Sequence, residues 1–269
     1  MKTRKWNQRG AIVAASLVCL LLAQVQGYSY TVRGFWYYDD VSGTTVPDHS
    51  NATNNPGTLV NGATTSTDTP FTSYPGNLSM SLDGTNDRMD ITIGDLSNLV
   101  GSATIETWVK PSSLGAENWV ARFQSGVGSE YYAIRLVSGT VQAFFGSEGG
   151  TASSPSPISA GVWTHLAVTF DFPDNKITLF TNGIEAATAT LLTGGNTLDN
   201  TGIGAAWLGT ELLTQNFYAG LMDEVRIGSG VLPASQIQLD FSRTLVPEPS
   251  VAALGVFGLL TLWMRRRQG

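Results

Sequence analysis

The chain has 269 residues, enough for one or two domains, and only 13% of them are charged, about half the usual share. Between residues 28 and 249 there are 8 Lys/Arg against 21 Asp/Glu, a balance of −13. So acidic a body repels a phosphate backbone, which excludes nucleic acid as a partner and suits a cation or an uncharged sugar. The single cysteine, Cys19, excludes a disulfide.

The first element is an address. MKTRKWNQRG is basic, AIVAASLVCLLLA is an apolar run of 13 residues, and Val25 and Gly27 supply small residues at a cut site. This is the pattern of a signal peptide over residues 1–27, cleaved after Gly27. The alternative is a retained anchor, but the run is short of the roughly 20 residues a spanning helix needs. The mature chain then lacks any thiol.

From Tyr28 onward the sequence predicts an all-β domain. The segment 40–75 is rich in Thr, Asn, Gly and Pro and reads as long loops around one or two strands. Alternating runs follow. RMDITIG sets Met89, Ile91 and Ile93 on one face, and ATIETWVKP opposes Thr104, Glu106 and Trp108 to Ile105 and Val109. YYAIRLVSG alternates Tyr132, Ile134 and Leu136 with Tyr131, Ala133 and Arg135, and TVQAFFG comes next. In VWTHLAVTF, Leu166, Val168 and Phe170 share a face opposite Trp163, His165 and Ala167. KITLF and IEAATA are joined through Thr181, Asn182 and Gly183, and Asn-Gly between strand-like runs signals a hairpin because both residues tolerate positive φ. FYAGLMDEVRIG is a late strand, and PASQIQLDF over 233–241 reads as two helical turns. Short strands at this spacing predict a sandwich or jelly roll of two antiparallel sheets.

The last element is a second address. Val251 to Met264 are uncharged, about 21 Å as a helix and short for a bilayer. Pro247 and Pro249 bar helix just upstream. Arg265, Arg266 and Arg267 hold the far end in the cytoplasm under the positive-inside rule. Residues 246–269 thus read as a short C-terminal transmembrane helix with the body outside.

Little in the body reads as catalytic. His165 lies mid-strand and reads as a packed residue. His49 sits in VPDHSN with no Cys or second His beside it, which gives no zinc set. There is no G-x-S-x-G elbow. Glu106 stands alone, and Asp223 and Glu224, being adjacent, would face opposite sides of a strand. Among the aromatics, Trp119 in ENWVAR and Trp207 in AAWLGT are the ones to test as exposed sugar platforms.

Several stretches in order carry a family resemblance: Trp36 through SGTTVPDHS and GTLVNGA, then SLDGTNDRMDI, ATIETWVKP, WTHLAVTFD with LFTNG, and GLMDEVRIGSGVL with SQI behind. The set, from about 35 to 240, resembles the laminin-G-like branch of the concanavalin A-like lectin/glucanase superfamily. The resemblance implies a single jelly-roll domain over 28–245 whose first strand pairs near its last. It also implies a structural Ca²⁺ held by a side chain of Asp39 or Asp40, the carbonyl of Gly84, and Asp223. The other reading of these acids is turn capping, which is the reading favoured for Asp83 and Asp87. The superfamily's glucanases carry paired carboxylates along one strand, a Glu-x-Asp-x-x-Glu pattern that is absent here, so the resemblance favours a non-catalytic module over an atypical glycoside hydrolase.

The tail order Val246, Pro247, Glu248, Pro249, apolar helix and Arg cluster is similar to the PEP-CTERM sorting signal of Gram-negative bacteria that make exopolysaccharide. The resemblance implies an exosortase as partner, with Pro247, Glu248 and Pro249 recognised. It also implies a protein held on the periplasmic side of the inner membrane, then released to the cell surface or extracellular matrix. Two functions follow as expectations. One is an adhesive, lectin-like module associated with extracellular polysaccharide; the other is a structural matrix protein that binds no glycan.

Overall fold

The computed structural model describes residues 29–243 apart from 51–53, 72–75, 116, 126–130, 147–148, 192–202, 212 and 214. The signal-peptide and sorting-signal segments lie outside these described residues. Among the described residues no helix is long and apolar enough to cross a membrane.

Two antiparallel sheets of eight strands carry the fold. The first runs β14 (Ile184–Thr190), β13 (Lys176–Thr181), β12 (Thr164–Asp171), β7 (Ala103–Pro111), β16 (Ala219–Ser229), β5 (Ser79–Asp83) and β4 (Thr64–Ser66). β1 (Thr31–Trp36) also pairs with β16, so the first strand lies beside the last. The second sheet runs β11 (Thr151–Ser153), β10 (Thr140–Phe145), β9 (Tyr131–Val137), β8 (Asn118–Ser125), β15 (Ile203–Leu208), β6 (Arg88–Ile91), β3 (Gly57–Val60) and β2 (Thr45–Val46).

The period-2 faces meet between the sheets as the alternation predicts. Ile105, Leu166 and Val168 from the first sheet join Met89, Ile134 and Leu136 from the second in one buried cluster. Each fully buried side chain of this size contributes about 1.5–3 kcal/mol relative to exposure, so the stacked faces drive the assembly. The β13–β14 hairpin turns at Asn182 (φ 50°) and Gly183 (φ 75°), the left-handed pair that Asn-Gly supplies.

Two features differ from the expectations. The segment 40–75 contributes three short strands rather than one or two, and part of it is anchored by a polar hub. Asp48 accepts from the backbone N–H groups of Phe35, Ser50 and Asn55, and the Asn55 carboxamide accepts from Gly94 and Leu96. A loop bonded this densely is fixed by its own polar side chains, which strand periodicity cannot reveal. Helix α1 (Ala234–Arg243) is slightly longer than the two turns expected. It lies on the outer face of the first sheet, where Ile237 and Leu232 pack with Ala167 and Phe180.

Candidate functional site

The outer face of the second sheet holds a group of aromatic and polar side chains not given over to the main core. Alternation on β9 sends Tyr132, Ile134 and Leu136 inward, leaving Tyr131, Ala133 and Arg135 outward. On β8 a bulge decides the outcome. The register shifts between Trp119 and Ala121, so Val120 and Ala121 both enter the core, and Trp119 and Arg122 both face out. Strict alternation would have put Trp119 with Ala121 and Phe123, on the side away from Arg122.

Strand registers then align a row across five strands: Phe144, Ala133, Arg122, Trp207 and Asp90. A second row joins Trp119, Arg135 and Gln142. Tyr131, Trp119 and Phe144 form a small cluster of their own, with ring centroids 5.5–6.1 Å apart in tilted or edge-on geometry.

The charges on this face are unequal in their partners. Arg135 is held on both sides: Nη1 donates to Glu117 Oε1 at 2.8 Å and Nε to Gln142 Oε1 at 2.9 Å. Glu117 Oε1 also accepts from Trp119 Nε1 at 2.7 Å. Arg88 forks onto Asp90 at 2.7 and 3.1 Å. Arg122, by contrast, stacks its guanidinium 3.9 Å from the Tyr131 ring centroid and 5.5 Å from that of Trp119. It is 6% exposed, and its Nε has no hydrogen-bond partner. Burial pulls its pKa down, opposed by Tyr131 and Glu211.

The two tryptophans singled out by sequence have different situations. Trp207 is half-buried on the outer face between Arg122 and Asp90. Trp119 is 1% exposed, enclosed by Tyr131, Phe144 and the two arginines, so it walls the site and offers no open platform. The reason is the bulge, which tucks its ring against the neighbouring strands. Arg122, Arg135, Gln142 and Phe144 escaped the sequence reading. A signal was present: Arg122 interrupts the apolar run of Trp119, Val120, Ala121 and Phe123, in a body with only eight Lys/Arg.

The acids expected at a calcium site are only partly brought together. Asp39 Oδ1 accepts from Leu78 N at 2.7 Å, at the start of β5. Its charge reaches Asp223 and Glu224, raising both pKa values after burial has already done so, Glu224 to about 7. A bulge after Asp223, with Glu224 at φ 51°, breaks the alternation that would part these neighbours. Asp223 is fully buried; its Oδ1 accepts its neighbour's N–H, while Oδ2 and the coupled Tyr38 hydroxyl have no partner. These hard oxygens suit a calcium ion. Asp40, exposed, turns to His49 instead, at 3.2 Å. Gly84 is not in reach: Asp83 pairs with Ala219, four residues from Asp223 along β16, or about 13 Å. Its place in turn order misled, because turn order does not report position along a strand. Among the described residues no three His, Cys, Asp or Glu side chains converge on a metal position.

A third cluster lies under α1. Arg226 bridges Glu106 and Asp240, and His165 Nε2 lies 3.7 Å from Glu106 Oε1. Trp108 stacks on Phe241 of the helix at 5.7 Å. The helix roofs this group.

Two stacked antiparallel sheets whose first and last strands pair define a concanavalin A-like sandwich, here with an aromatic and arginine-bearing outer face. A laminin-G family model, described as concanavalin A-like lectin/glucanases superfamily, matches residues 83–238, and the chain belongs to that family. No curated protein matches the chain. Solved structures with the same fold include Domain 4 of AbnA, a GH43 extracellular arabinanase from Geobacillus stearothermophilus, in complex with arabinotriose. It is 20% identical with a TM-score of 0.59, over 79% of this chain and 98% of that one. The botulinum neurotoxin serotype D ligand binding domain, in complex with N-acetylneuraminic acid, is 10% identical with a TM-score of 0.61. There the match spans 80% of this chain and 52% of the toxin domain. The binding domain of Paraclostridial Mosquitocidal Protein 1 is 14% identical with a TM-score of 0.57, over 78% and 52%. At these identities the likeness is one of fold.

Proposed function

We propose that the chain is an exported, non-catalytic glycan-binding module that acts in adhesion to extracellular polysaccharide. The observation that carries this reading is the row on the second sheet, where half-buried Trp207 lies beside Arg122 and Asp90. A sugar ring stacks its apolar face on an indole while neighbouring polar groups fix its hydroxyls. The neighbouring structures solved with arabinotriose and with N-acetylneuraminic acid support a sugar as the ligand class. Glu117 and Asp90 on this face are each engaged by an arginine, and Glu211 beside it accepts from Gln215 and Asn216, which supports binding rather than hydrolysis.

Glycan-array binding of the full chain tests the reading. Trp207→Ala is expected to weaken binding about five- to 150-fold, since losing a stacked ring costs roughly 1–3 kcal/mol. A blank array with the wild type leaves the structural matrix protein as the better account, and turnover of a β-glucan would restore the hydrolase.

The address follows from the two ends. Residues 1–27 export the chain. Residues 246–269 hold it on the periplasmic side of the inner membrane of a Gram-negative bacterium until an exosortase, recognising Pro247, Glu248 and Pro249, processes it to the surface or matrix. Deleting 246–269 is expected to shift the protein between membrane and medium on fractionation; an unchanged distribution would remove the sorting role. Calcium is proposed as a structural ion at Asp39 and Asp223, with backbone carbonyls and water completing its shell, because a buried oxygen without a partner stands there.

A further inference from the structure

Among the described residues Arg122 is a strongly buried charge on this face with no carboxylate in salt-bridge contact; Glu211 acts on it only at longer range, the Glu211 Oε2 accepting from Gln215 and Asn216. Arg33, Arg88, Arg135 and Arg226 each pair with a carboxylate. Arg122, 6% exposed, has no such pair, and its Nε is unpartnered. Burying a guanidinium without an anion in contact is unfavourable, and the Tyr131 ring 3.9 Å away and the more distant Glu211 offset this only in part. The side chain leaves the sheet on its outer face, so a ligand can meet it only from there. It stands mid-row, between Ala133, buried beneath the aromatic cluster, and Trp207, which offers a ring.

We propose that the glycan taken by this face is acidic, a sugar bearing a ring carboxylate that completes Arg122 while its pyranose ring lies on Trp207. This rests on the reading of the face as a glycan site and narrows it. A planar carboxylate matches the edge of a guanidinium, two N–H groups to two oxygens, which a neutral hydroxyl cannot do. The body's balance of −13 argues for an uncharged sugar at long range. That repulsion is screened beyond about 8–10 Å at physiological salt, whereas contact with Arg122 is not. Uronic and sialic acids both present such a carboxylate.

The test immobilises polygalacturonate, polysialate and carboxyl-reduced polygalacturonate and measures binding of the full chain by biolayer interferometry. At least one acidic polymer is expected to bind about tenfold or more tighter than the reduced one, and which does so separates uronate from sialate. Arg122→Gln is expected to abolish that preference, and Arg122→Lys to reduce it by losing the fork while keeping the charge. Should Arg122→Gln fail to fold, as read by circular dichroism, the wild-type comparison and the Lys variant decide. Equal binding to acidic and reduced polymers, or a preference that survives both substitutions, overturns the proposal and leaves the glycan site standing. Binding to none of the three by a wild type that is also blank on the array removes the site itself.

Discussion

His165 and Glu106 are buried neighbours whose titrations oppose each other. Burial lowers the pKa of His165 to about 3, helped by the charge of Arg226. Burial raises that of Glu106 to about 7, against the pull of Arg226. For His165 the folded value lies below the unfolded 6.5, so its stabilising contribution is present above 6.5 and is lost as pH falls toward 3. For Glu106 the folded value lies above the unfolded 4.5, so its contribution is present below 4.5 and is lost as pH rises through 7. Between 4.5 and 6.5 the two cancel. Removing one unmasks the other. Relative to wild type, His165→Gln should gain stability as pH drops from 6.5 to 4.5, and Glu106→Gln should lose it, each on the order of 1 kcal/mol per pH unit. Urea midpoints at pH 6.5 and 5 read the difference; parallel slopes for all three proteins would contradict it. Neither behaviour was legible in the sequence, which marked His165 only as a packed strand residue. The Arg226 and Asp240 that complete the group come from β16 and α1, distant in the chain.

At the scale of elements, the strands were legible and their irregularities were not. Leu166, Val168 and Phe170 announce their face by period 2 alone, and Asn182 with Gly183 announces the hairpin. The helix over 233–241 was readable as well, but not its seat, so nothing in the sequence showed that α1 covers Glu106, Trp108 and His165. The bulges on β8 and β16 were invisible for a different reason: an extra residue is set by packing, and no residue type in ENWVAR or MDEVR encodes it. Each bulge matters to a proposed site. One sets Trp119 on the same face as Arg122, the face proposed to take a glycan, and the other lets Asp223 and Glu224 both feel Asp39. Because Asp39 follows β1 and Asp223 lies within β16, an ion between them would fasten the first strand to the last. Ca²⁺ should therefore raise the Tm and chelator lower it, by about 2.7 kcal/mol of stability when free Ca²⁺ is about 100 times Kd. Asp223→Asn should melt identically with and without the ion. A wild-type Tm indifferent to both additions would discard the site.

At the scale of the whole molecule, the two outer faces of the sandwich have been put to different uses. The first sheet is roofed by α1, which packs Ile237 against Ala167 and stacks Phe241 on Trp108. The second sheet keeps Trp207 and Tyr131 half-buried, with Arg122 between aromatic walls. An acidic body with Arg88, Arg122 and Arg135 gathered on one face departs from the picture given by net charge alone, since composition averages over a surface that the fold sorts. The account therefore turns on where a glycan touches the protein. Hydroxyl-radical footprinting of the full chain, free and with saturating polygalacturonate, measures this directly. Protection is expected at Trp207 and Tyr131, with Trp163 on the first-sheet side unchanged; protection of Trp163 with Trp207 and Tyr131 unaltered would contradict it.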